Sequence, residues 1–129
     1  MHGFAGARRL LETLRAPFER FPISGYNLAR MPYEIVLAPE AAEDLDGLKA
    51  TLRAEVREGM ETHLRHEPRK ISRSRIKRLR KLSQPQYRLR IGDVRVFYDI
   101  SEENVEVLAI VLKSEAATWL AKYGKLESK

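Results

Sequence analysis

Arg88, Arg90 and Arg95 are the residues of this chain whose type and spacing best suit chemistry, and that chemistry is the holding of phosphate. A guanidinium carries a planar fork of donors and stays charged at any physiological pH, so it can bind phosphate oxygens bidentately. For the same reason it is a poor general base. The three arginines are brought together by the stretch Gln86 to Ile100, in which two runs of period-two alternation flank Gly92-Asp93. A two-residue Gly-Asp loop suits the primed turns that join twisted strands. It sets Ile91 opposite Val94, Arg90 opposite Arg95, Leu89 opposite Val96, Arg88 opposite Phe97 and Tyr87 opposite Tyr98. One face is then apolar or aromatic, and the other gathers the arginines around Phe97. Like charges directly opposite one another destabilise a strand pair, so the arrangement gains from an anion. The expected result is one surface cluster of Arg88, Arg90 and Arg95, on the sheet face away from the helical hairpin.

The rest of the chain agrees with a polyanionic partner. It has 24 Lys plus Arg against 18 Asp plus Glu, a net charge of +6 and a pI near 9.8. Such a balance favours nucleic acid or an anionic surface without specifying a fold. From Arg69 to Arg95 the cations are interrupted by one acid, Asp93. The absence of cysteine excludes a disulfide scaffold and a thiolate metal site, and is compatible with a reducing cytosol. No apolar run approaches the roughly 20 residues of a membrane span. His63 and His66 lie three apart on an expected helix with no carboxylate or thiolate at ligand spacing, so no metal site is expected. Neither a Gly-rich phosphate loop nor a Ser-His-Asp order is visible, and no cofactor is called for.

The elements that must position the hairpin begin at Met31. Upstream, Phe4, Ala7, Leu11, Leu14 and Phe18 recur at helical spacing, and Pro22, Gly25 and Asn27 mark a linker. Residues 1–30 therefore read as an extension and residues 31–129 as the domain. Tyr33 to Leu37 is a strand candidate, and Pro39 and Glu40 open a helix with Ala42, Leu45 and Leu48 inward. A second helix from about Thr51 to His66 carries Leu52, Val56, Met60 and Leu64 on one stripe, with Gly59 weakening it. A basic connection over 69–84 is expected to hold one short strand around Ile76 to Leu82. After the hairpin, Val105 to Leu112 is apolar on both sides and so central. Pairing Ile100 with Val105 sets Val107, Ala109 and Val111 on the apolar face and Leu108 and Ile110 beside Phe97 and Arg95. A last helix from Ser114 carries Trp119, Leu120 and Tyr123 in packing roles and ends at Gly124. The expected fold is α+β: a small, mostly antiparallel four-stranded sheet, a helical hairpin on one face and a short C-terminal helix. Leu45, Leu48, Leu52, Val56, Met60, Leu89, Val96 and Val107 are expected to share its core.

This order of elements, with Lys77-Arg78-Leu79 followed by Tyr87-Arg88-Leu89-Arg90-Ile91-Gly92-Asp93-Val94-Arg95-Val96, resembles the RelE/ParE superfamily of bacterial toxins over about residues 31–124. The resemblance implies a small cytoplasmic toxin, neutralised by a cognate antitoxin protein. In the RelE branch it implies ribosome-dependent endoribonuclease action on mRNA, by attack of the ribose 2′-hydroxyl on the adjacent phosphate. In ParE-like relatives it implies action on DNA gyrase. It places Arg88, Arg90 and Arg95 in the catalytic face, with Lys113 supplying charge after the last strand. There the chain has Lys113-Ser114-Glu115 where nuclease relatives tend to carry Arg or His with Tyr. Lys77, Arg78, Arg80 and Lys81 are the expected RNA contacts, with Phe97 as a ring on which a base can stack. The alternative is a member of weak or no catalytic activity that binds RNA or a protein target.

Overall fold

The computed structural model of the chain describes residues 31–128. The helix and linker expected over 1–30 lie outside the described residues. In chain order the elements are β1 (Glu34–Leu37), α1 (Pro39–Asp46), α2 (Ala50–Leu64), β2 (Ile76–Arg78), β3 (Leu82–Gln84), β4 (Tyr87–Ile91), β5 (Val94–Ser101), β6 (Asn104–Leu112), α3 (Lys113–Tyr123) and β7 (Lys125–Leu126). The class is α+β, as the pattern of elements implied.

The main sheet has five strands in the order β1-β6-β5-β4-β2, where four were expected, and β3 and β7 form a separate pair. All neighbours in the main sheet are antiparallel except β1 and β6. That parallel pairing is possible because two helices and the hairpin intervene between the strands, and parallel strands need a long crossover. The single strand expected over 76–82 is instead two. β2 pairs with β4, the chain reverses at Lys81 in the left-handed region (φ 69), and β3 leaves to meet β7.

Pro39 starts α1, where its missing N–H costs no hydrogen bond. Ala41 and Leu45 of α1, with Val56, Met60 and Leu64 of α2, then bury one stripe against the sheet. Leu89, Val96 and Val107 meet them from the strands, while Leu48 and Leu52 pack at the margin, partly buried. Gly59, which sequence reading treats as a weak point, is where α2 crosses β4. A Cβ there would lie 2.6 Å from Ile91 Cδ1, so any larger residue would force the Ile91 side chain to move.

One register differs from expectation. Phe97 pairs with Ala109 and Tyr98 with Val107, so Leu108 is an extra residue without a partner. A bulge of this kind flips the alternation beyond it. Ile110 therefore enters the core opposite Val96, and Ala109 and Val111 sit opposite Phe97 and Arg95. The assignment of Ala109 and Val111 to the apolar face, and of Ile110 to the arginine side, is thereby corrected, while Leu108, in the bulge, lies near Trp119 and Tyr123 of α3. The Ile110 N–H donates to an Asp44 carboxylate oxygen at 3.0 Å, tying α1 to the bulge.

Candidate polyanion-binding face

The hairpin forms in the register that its alternation dictates. All five pairs from Tyr87–Tyr98 to Ile91–Val94 are present, and Gly92 takes φ +57 in the turn. Leu89 and Val96 belong to the core, so Arg88, Arg90 and Arg95 share the opposite face. Lys77, opposite Arg88 on β2, extends the row to the edge of the sheet.

The three arginines are not one surface cluster. Arg90 is exposed and Arg88 half-buried, but Arg95 is only 8% exposed. Its Nη1 donates to the carbonyl oxygens of Gly92 at 2.8 Å and Val94 at 3.2 Å, so it holds the hairpin turn. Phe97, expected as a stacking platform, is 1% exposed and closed to any base. The Trp119 ring lies on it at 5.1 Å and 12° from parallel, and Tyr123 packs on Trp119 at 5.3 Å. Trp119 thus has the packing role read from the sequence, whereas Tyr123 is half exposed. The physical reason at Phe97 is α3, whose Trp119 covers it, and at Arg95 the carbonyl oxygens of its own turn.

The β4 side stays open. Arg88 Nη2 makes only long bonds, 3.4 Å each, to the carbonyl oxygens of Ser74 and Arg75. Its Nε is a buried donor without a hydrogen-bond partner among the described residues. Burial, and then the like charges of Arg95 and Arg90, push the Arg88 guanidinium below its ordinary value. An anion placed there would offset the two like-charge causes.

The remaining candidates separate. Arg78 belongs to the other face, over the Tyr87 ring at 5.2 Å, and donates to the Gln86 carbonyl at 2.8 Å. Arg80 and Lys81 are exposed in the turn between β2 and β3. Lys113 is exposed at the start of α3, where its N–H donates to the Asp93 carbonyl at 2.7 Å beside the hairpin turn. Arg75 received no role from the sequence, yet it stands next to Arg90: Arg90 N–H donates to its carbonyl at 2.8 Å. The signal was available, because β2 extended by one residue puts Arg75 opposite Arg90. Among the described residues no group of three or more His, Cys, Asp or Glu is placed to hold a metal ion.

Residues 35–117 match the sequence model of the ParE toxin of type II toxin-antitoxin systems, parDE. The chain belongs to the ParE toxin family. The matched span contains the whole hairpin and the basic connection, and it stops short of Trp119, the ring that closes Phe97 in this ParE-family chain. Among solved structures, a chain of the toxin-antitoxin complex RelBE2 from Mycobacterium tuberculosis is 26% identical over 63% of this chain and 98% of that one, with a TM-score of 0.53. A chain of the RelB-RelE antitoxin-toxin complex from Methanococcus jannaschii is 14% identical over 64% and 95%, with a TM-score of 0.49. No curated protein matches this ParE-family chain by sequence. Among the described residues, no helix is long and apolar enough to cross a membrane.

Proposed function

We propose that this toxin stops growth by gripping messenger RNA on the ribosome, as a ribosome-dependent endoribonuclease of the cytoplasm, and that a cognate antitoxin protein silences it. The observation that carries this reading is the state of Arg88. A half-buried guanidinium with a partnerless Nε, Arg90 beside it and Lys77 opposite is a costly arrangement for folding alone. A phosphodiester supplies the missing acceptors and the opposing charge. Attack of a ribose 2′-hydroxyl on the adjacent phosphate builds negative charge on the phosphoryl oxygens, and Arg88 and Arg90 are suited to stabilise it. Lys113 adds a mobile positive charge near the hairpin turn. The antitoxin partner is supported by the Mycobacterium tuberculosis relative, whose structure is a toxin-antitoxin complex.

A second reading, binding of DNA gyrase without RNA cleavage, is favoured by the family description, which is that of the parDE toxin. Induced expression separates the two. Mapping of RNA ends on translated messages is expected to find cuts between codon positions, lost in the Arg88→Ala, Arg90→Ala double variant. Gyrase-dependent DNA damage with intact messages would select the second reading. Full toxicity of the double variant would overturn the role of this face.

A further inference from the structure

The segment joining α2 to β2 closes a cleft of about 350 Å3 against the last turns of α2. Thr62 and His63 line it from the helix, and Lys70, Ser72, Ser74 and Arg75 from the joining segment. Ser72 fixes that segment, since its Oγ accepts the backbone N–H groups of Arg75 at 2.9 Å and Ile76 at 3.1 Å. With two acceptor positions taken, its hydroxyl proton is left to donate elsewhere. Glu67 is the one acid in the lining, and it faces Lys70 at 3.7 Å across two exposed side chains, a weak pairing.

Arg75 belongs to this cleft and to the arginine face at once. Its Nη1 reaches the Arg90 carbonyl at 3.4 Å, and Arg88 Nη2 reaches the carbonyl oxygens of Ser74 and Arg75. Cationic groups therefore lead from Arg88 and Arg90 through Arg75 into the cleft that Lys70 also lines. An extended polymer with regularly repeated charge fits such a track better than a single small anion.

The geometry points to a second phosphate subsite in this cleft, where Lys70 and Arg75 supply charge and the Thr62, Ser72 and Ser74 hydroxyls supply donors. Its ligand is a backbone phosphodiester of single-stranded RNA whose neighbouring phosphates lie against Arg88 and Arg90. This inference rests on the RNA-binding reading above. It also assigns a use to His63, which burial and then the Arg75 charge hold below the ordinary 6.5. The charged groups around it are Arg75, Lys70 and Glu67. An arriving phosphate favours the imidazolium, so His63 reports occupancy by a rise in its titration midpoint.

The test uses the full chain with a short, uncleavable 2′-O-methyl oligoribonucleotide lacking terminal phosphate, and separately with inorganic phosphate, following the His63 ring by NMR. Lys70 and Ser74 are exposed, so the Lys70→Ala, Ser74→Ala variant leaves the core intact. The oligonucleotide is expected to raise the His63 midpoint. The variant is expected to bind it about threefold to tenfold more weakly, with a salt slope about 0.7 less steep, the share of one phosphate contact on a single strand. Unchanged affinity in this variant, with a loss in Arg88→Ala, Arg90→Ala, overturns the subsite and leaves the RNA-binding reading standing. If neither variant loses affinity, both fall. A His63 response to inorganic phosphate but not to the oligonucleotide assigns the cleft to free anions, and stronger binding of an oligoglutamate peptide assigns it to an acidic protein segment. Either result overturns the inference.

Discussion

Arg88 and Arg95 stand on the same face of the same hairpin, two register positions apart, and have come to opposite ends. Arg95 is folded back onto the carbonyl oxygens of its own turn, beside a Phe97 ring roofed by Trp119. Among the described residues, Arg88 has no such roof, makes only long bonds and keeps one donor without a partner. Alternation along a strand decides which side of the sheet a residue joins; it says nothing about what lies over that side. Here α3, some twenty residues downstream, covers one half of this face and leaves the other half open.

The contrast can be broken most severely at Phe97. Phe97→Ala empties a closed site and is expected to cost about 3 to 5 kcal/mol in denaturant unfolding, as large aromatic truncations in cores do. A loss below about 0.5 kcal/mol, typical of ordinary surface positions, would mean that the roof is not there. The open half should behave in the reverse way. Arg88→Ala with Arg90→Ala is expected to weaken RNA binding at least about tenfold, or roughly 1.4 kcal/mol, while stability stays within about 0.5 kcal/mol of the parent. Paired binding and unfolding measurements check both statements. Arg95→Ala should remove only its bonds to Gly92 and Val94, costing about 1 kcal/mol in stability with RNA affinity nearly unchanged. A large loss of RNA affinity in that variant would show that Arg95 leaves its turn to meet the ligand.

The smallest effect concerns the bulge that sends Ala109 and Val111 to the covered half. Burial raises the Asp44 carboxyl above its ordinary 3.8, the Ile110 N–H opposes this, and Glu43, Glu40 and Glu115 add to the rise. A carboxyl whose value is higher folded than unfolded favours folding most in acid. That contribution is lost as pH climbs from 3.8 through the raised value. Asp44→Asn keeps an acceptor for Ile110 and removes the charge, so it should stabilise the protein at pH 7 by a few tenths of a kcal/mol, roughly, after solvent screening. The gain should vanish near pH 3. Thermal unfolding across that range reads the sign directly.

The hairpin was legible from the residues because two strong signals coincide there, strict alternation and a Gly-Asp turn. The helical core was legible too, since Leu45, Val56 and Met60 are spaced for one buried stripe. Leu108 was not: every residue near it is apolar, so no polar position marked where the alternation slips. β7 could not be read from two exposed residues, and β1 could not announce a parallel partner that follows it by some seventy positions. At the site, the arginine face followed from local spacing, while its division into covered and open halves depends on a long-range contact between Phe97 and Trp119. Arg75 escaped notice because β2 reads as part of a longer basic run, and its register fixes the neighbour of Arg90.

β2 itself closes the main sheet on one side, at an edge where Ser72 already takes the backbone N–H and C=O of Ile76 and another chain could meet the groups that remain. This one is three residues long and carries Lys77 and Arg78, with Arg75 just before it. A second copy docking there would bring cation against cation along the whole contact. The charges of this edge thus oppose pairing between copies, as charged side chains on edge strands do.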